Sequence, residues 1–175
     1  GNAFWSIVES KRIIGGNEHI KGSYNCICFS EAPISAIGSF LPASHASIRY
    51  QPFGFMFHKR YIYSKGGRPV IYQPDSEFYT LPDEKKYLHV RFELGTEKEE
   101  NEIDFTWERE WRLKADYLDF TPEDVTLIVP QRSIADDIRD FLHTPEHSPE
   151  RFPWHFLVLE DLGVDLPDYF RALST

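Results

Sequence analysis

At 175 residues and 20.5 kDa, with 41% hydrophobic and 15% aromatic residues, the chain has ample apolar area for one core, and a single domain over residues 1–175 is expected; disorder is not expected. The formal charge of -9 and a pI near 5.2 repel a phosphate backbone over most of the surface. A nucleic-acid partner therefore requires a local basic patch, for which Lys59, Arg60, Lys65 and Arg68 are the candidates; the same four residues also read as an ordinary solvated helix face.

The chain opens on Gly1 and enters a helix-like run almost at once, so a strand upstream of it is expected to be missing. Residues 3–14 (AFWSIVESKRII) read as an amphipathic helix stopped by Gly15-Gly16. Tyr24–Phe29 (YNCICF) reads as a short apolar strand. It turns Cys26 and Cys28 to one face as buried thiols of a reducing cytosol, too few for a zinc site and poorly placed for a disulfide. Ser30-Glu31-Ala32-Pro33 can cap a helical turn. Residues 38–51 read as loop, and Phe53–His58 as a buried strand in which Gly54 suggests close backbone approach.

Lys59–Lys65 is expected to form a helical turn closed by Gly66-Gly67, followed by a strand over Arg68–Tyr72 and a short helix over 75–81. Tyr87–Leu94 reads as a strand, and the acidic run Glu97–Glu102 as a solvated connection. Val125–Val129 (VTLIV) and Trp154–Leu159 read as strands around a helix over Ser133–Leu142. Strands outnumber long helices, so the class is α+β, with mixed or antiparallel sheets and short helices. No run approaches the ~20 apolar residues of a membrane span. No charged-then-apolar leader opens the chain, and a cytoplasmic protein with no membrane partner is expected.

One segment concentrates chemistry. In Thr106–Ala115 (TWEREWRLKA) strand alternation puts Phe105, Trp107, Arg109, Trp111 and Leu113 on one face and Thr106, Glu108, Glu110, Arg112 and Lys114 on the other, with Arg109 alone out of class. On that reading the tryptophans anchor in the core. Glu108 and Glu110 then stand ~6.5–7 Å apart on the other face, either as part of a wet surface or as paired carboxylates steadied by Arg112. Seven histidines are present, but Pro145 interrupts His143 and His147, and no metal site is expected. The chain has no dinucleotide-binding Gly-x-Gly-x-x-Gly, no phosphate-loop Gly-Lys-Ser/Thr and no Gly-x-Ser-x-Gly.

The segments CFSEAP (28–33), RYQPFG (49–54), GRPVIY (67–72) and DFTWEREWR (104–112), in that order, resemble the AbiGi-type abortive phage-infection family of bacteria and, more distantly, the DarT-like ADP-ribosyltransferases. The resemblance covers residues 4–130. It implies an ADP-ribosyltransferase-like fold in which two small sheets clasp NAD, with Glu110 as the catalytic carboxylate and Glu108 as its accessory partner. Cleaving a glycosidic C–N bond passes through an oxocarbenium-like state, which a fixed carboxylate beside the ribose suits.

By the same resemblance Arg49 matches an arginine that grips the NAD phosphates, though it also reads as a loop arginine. Tyr50 either stacks on nicotinamide or a target base, or belongs to the core. Ser30 either meets the ribose or caps a turn. The His or Arg that the fold offers from a first strand has no counterpart here. The expected partners are a nucleic-acid or protein target and an antitoxin or regulatory protein. The alternative is a non-catalytic interaction module, with a metal-dependent nuclease ranked behind both.

Overall fold

The fold is that of a computed structural model, which describes residues 2–36, 51–95, 102–143 and 152–164. It is mixed α+β, with short helices and four small sheets among the described residues. The chain divides into two compact units: residues 1–11, 33–58 and 120–175 form one, and residues 12–32 and 59–119 the other.

The first unit contains α1 (Asn2–Ser10), β3 (Gly54–Phe57), β9 (Val125–Val129), α3 (Arg132–Leu142) and β10 (His155–Val158). The period-2 run VTLIV becomes the central strand of a β10-β9-β3 sheet, parallel to β10 and antiparallel to β3. Val125, Leu127 and Val129 all point into the core, where Ala135 and Ile138 of α3 are also fully enclosed. Aromatic rings fill the rest: Phe4 of α1 meets Phe53 and Phe55 at 5.2 and 5.0 Å, and Phe120 meets Phe57 at 5.4 Å. A Cβ on Gly54 would meet Ile128 Cδ1 at 3.5 Å, an ordinary contact, so the expected close approach is not there.

The second unit contains β1 (Arg12–Ile14), β2 (Cys26–Ser30), α2 (Lys59–Ser64), β4 (Arg68–Pro69), β5 (Ile71–Gln73), β6 (His89–Arg91), β7 (Glu110–Lys114) and β8 (Tyr117–Asp119). They form an antiparallel β2-β7-β4 sheet and two pairs, β1-β8 antiparallel and β5-β6 parallel. Ile20, Cys26, Tyr87 and Leu88 make a core cluster, with Tyr24 and Ile71 against it.

Three element boundaries depart from expectation. The first helix ends at Ser10, not residue 14, because Lys11 turns left-handed (φ 53°) and Arg12–Ile14 pairs with Tyr117–Asp119 instead. The β-branched Ile13 and Ile14 suit that ladder better than a helix end. Gly15 then serves close approach: a Cβ there would lie 2.2 Å from the Ala115 carbonyl oxygen. Arg68–Tyr72 splits at Val70, whose amide donates to the Glu110 carbonyl at 3.0 Å, so its two halves join different sheets. The Tyr87–Leu94 run opens with a 3-10 turn over Lys86–Leu88 before β6 begins. Most of the acidic run at 97–102 falls outside the described residues.

A candidate site around Glu110

TWEREWRLKA is not one strand. Asp104 accepts hydrogen bonds from the Thr106 amide (2.8 Å) and hydroxyl (2.6 Å), and this starts a 3-10 turn over Thr106–Glu108. Arg109 then takes the left-handed conformation (φ 47°, ψ 50°), and β7 begins only at Glu110. The alternation therefore breaks at Arg109. Glu108 and Glu110 are not neighbours on a strand face, and Trp107 is not on the face of Trp111.

Two adjacent residues of β7, Arg112 and Trp111, depart from their expected environments, while Leu113 is buried and Lys114 exposed as the alternation has it. Arg112 is buried, its side chain 5% exposed, and Glu110 beside it is 12% exposed. Arg112 Nε donates to Glu110 Oε1 at 2.7 Å and Nη2 to Oε2 at 3.4 Å. Nη1 donates to the carbonyls of Tyr87 (2.8 Å) and His89 (2.9 Å). These four hydrogen bonds make burial of the guanidinium tolerable, since a buried charge needs both an ionic partner and acceptors for its remaining N–H groups. Trp111 faces outward and is only half buried. Its indole N–H donates to Glu31 Oε2 at 2.9 Å, and Lys59 Nζ stands 5.0 Å over the ring while bonding Glu31 Oε1. The Lys59 and Trp111 bonds hold the Glu31 carboxyl below its ordinary range.

Glu108 is buried, and its carbonyl accepts the Ser30 hydroxyl at 2.7 Å. Ser30 Oγ in turn accepts the Ala32 amide at 3.1 Å, ahead of helical residues 34–36, so this hydroxyl works as a turn-forming cap that ties the Glu108 turn to β2. Beside Glu110 stands Tyr72, a residue for which no site role was expected. The Tyr72 phenol oxygen accepts the Glu110 amide at 3.0 Å. Burial pushes this phenol up, and the Glu110 and Glu108 carboxylates add to the effect against the opposing Glu110 amide bond and Arg112.

Cys28 shares this face, directly across from Arg112. Cys26 is buried but Cys28 is exposed, against the expectation of two buried thiols, and both are free. Desolvation in the folded chain and then the Glu110 carboxylate push the Cys28 thiol up to about 12, even though the residue keeps exposed surface. The folded chain holds this proton where the unfolded chain loses it. The stability linked to Cys28 is therefore present below the ordinary value of 9.0 and is lost as pH rises toward 12. Alkylation of Cys28 by iodoacetamide, followed by mass spectrometry, is expected to be slow at pH 8 and to rise steeply only at higher pH. Glu110→Gln is expected to accelerate it at fixed pH.

Arg49 and Tyr50 lie outside the described residues. The described site thus unites Glu110, Glu108 and Ser30 with Tyr72, Arg112 and Cys28. Among the described residues no group of three or more His, Cys, Asp or Glu side chains is placed to hold a metal ion. His89 is buried, with Nε2 3.4 Å from the Pro74 carbonyl and its ring edge-on to Phe78 at 5.2 Å. No described helix is long and apolar enough to cross a membrane. No family model, curated protein or solved structure matches this chain.

Proposed function

We propose that this chain is an NAD-dependent ADP-ribosyltransferase-like protein of bacterial phage defence or a toxin system, acting in the cytoplasm on a nucleic-acid or protein target. Glu110 is the central carboxylate and Glu108 its accessory partner, with Arg49, Tyr50 and Ser30 as the expected NAD contacts. The observation that carries this reading is the fixed position of Glu110: its side chain is tied to Arg112, and its amide is held by Tyr72. A preorganised carboxylate needs no reorganisation as positive charge develops on the ribose, which is where electrostatic catalysis gains most. Arg112 and Tyr72 are positioning residues on this view.

The test is NAD consumption by the chain with candidate protein and nucleic-acid targets present. Glu110→Gln is expected to lower turnover by about 10²–10³-fold, the scale for losing one electrostatic contact to a transition state. Turnover that ignores the substitution, or no turnover with any target, would overturn the reading.

A second reading has an observation of its own. Both oxygens of Glu110 already accept bonds from Arg112, as a purely structural ion pair would have it. The chain is then a non-catalytic interaction or regulatory module of an abortive-infection pair, and Glu110→Gln lowers stability with no turnover to lose.

A further inference from the structure

The Tyr72 phenol completes only half of its hydrogen bonding. Its oxygen accepts the Glu110 amide at 3.0 Å, but nothing among the described residues accepts its proton. A phenol both donates and accepts, so this half-buried side chain is short of one partner. Burial first, and then the Glu110 and Glu108 carboxylates, push its titration up, which keeps the proton on the oxygen at neutral pH.

Glu110 has acceptor capacity to match. A carboxylate offers about four lone-pair sites. Arg112 Nε takes Oε1 at 2.7 Å and the Cys28 thiol bonds the same carboxylate, whereas the Arg112 Nη2 contact to Oε2 is 3.4 Å long, beyond the usual range. One side of the pair is open: Ser30, opposite Glu110 in register, and Cys28, two residues along β2, are both exposed.

One idle donor beside one underused acceptor defines a ligand chemistry. An alcohol satisfies both groups at once. An anion meets the net negative charge of Glu108, Glu110 and Arg112, and an ammonium has no lone pair for the phenol proton.

We propose that Tyr72 is a substrate-binding residue, its phenol donating to the oxygen of a ribose hydroxyl whose own proton is offered to Glu110 Oε2. The oxygen of Tyr72 thus positions Glu110, and its proton touches the sugar. Taking that sugar to be the nicotinamide ribose rests on the function proposed above.

The experiment is isothermal titration calorimetry of the full chain with NAD, and with two NAD analogues that lack in turn the 2′- and the 3′-hydroxyl of the nicotinamide ribose. Native chain and Tyr72→Phe are compared, with NAD turnover in the presence of targets followed in parallel. Tyr72→Phe is expected to weaken NAD binding about three- to tenfold, the scale of one hydrogen bond. At least one analogue is expected to bind the native chain more weakly by a similar factor and to be indifferent to Tyr72→Phe, because the hydroxyl that receives the bond is gone. A phenol that only holds the Glu110 amide would give the same loss on NAD and on both analogues, and that result would overturn the proposal. So would native affinity of Tyr72→Phe for NAD. Equal affinity of the native chain for NAD and both analogues would overturn it even if Tyr72→Phe did not fold, which circular dichroism decides. No NAD binding by the native chain overturns this proposal and the function together. Turnover that falls in Glu110→Gln beside unchanged NAD binding in Tyr72→Phe overturns this proposal alone, and Tyr72-dependent binding beside turnover that ignores Glu110→Gln does the reverse.

Discussion

Arg112→Ala is expected to destabilise the fold by about 3–5 kcal/mol, measured by chemical denaturation, because it breaks a buried ion pair from one side only. Three acceptors lose their donor at once: the Glu110 carboxylate and the carbonyls of Tyr87 and His89. Water has poor access to a site where the arginine is 5% exposed and its partner 12% exposed. Arg112→Lys is expected to recover little, since one ammonium cannot reach a carboxylate and two carbonyls in the fork geometry. Glu110→Gln is expected to cost less, as its amide oxygen still accepts from Arg112. The exposed Arg12–Asp119 bridge provides the internal comparison: it has equally short contacts but lies in solvent, so its removal is expected to matter far less. If Arg112→Ala proved no worse than Arg12→Ala, the structural account of the Glu110 face would be wrong.

The same pair shows where sequence reasoning stops. The rule that charged strand faces meet water holds only when no acceptors await inside. Here the 3-10 turn over Lys86–Leu88 and the start of β6 each present one carbonyl to the guanidinium, and nothing in TWEREWRLKA announces a turn some 25 residues earlier. Trp111 is displaced to the outer face and finds partners in Glu31 and Lys59, again from distant segments.

Other features were legible because their causes are local. VTLIV alternates and becomes a central strand, and Gly66-Gly67 closes α2, with Gly66 at φ 102° and the backbone of Gly67 close against Ile62. The break at Arg109 was half legible: it was the one residue out of class in the alternation, and it is the residue that turns left-handed before β7 begins. The missed local signal was Asp104-Phe105-Thr106, a carboxylate two residues before a hydroxyl, which starts a turn and not a ladder. Tyr72 had no local signal at all. Its role beside Glu110 depends on a contact across 38 residues of sequence.

Leu127→Ala is expected to cost about 2–5 kcal/mol, the range for deleting an enclosed leucine whose surroundings relax only in part. Leu127 has no exposed surface and lies in the middle strand of the β10-β9-β3 sheet, so a void there cannot be filled by solvent or by an edge strand shifting inward. Its neighbours in register are Phe156 on the parallel side and Phe55 on the antiparallel side. Leu127→Met, which preserves volume, is expected to cost less than about 1.5 kcal/mol. Native-state hydrogen exchange locates the effect: amides of β3, β9 and β10 are expected to lose protection together, because opening any one strand of a three-stranded sheet strands the bonds of the other two. A small loss, or one confined to β10, would mean that Leu127 is not the keystone of this core.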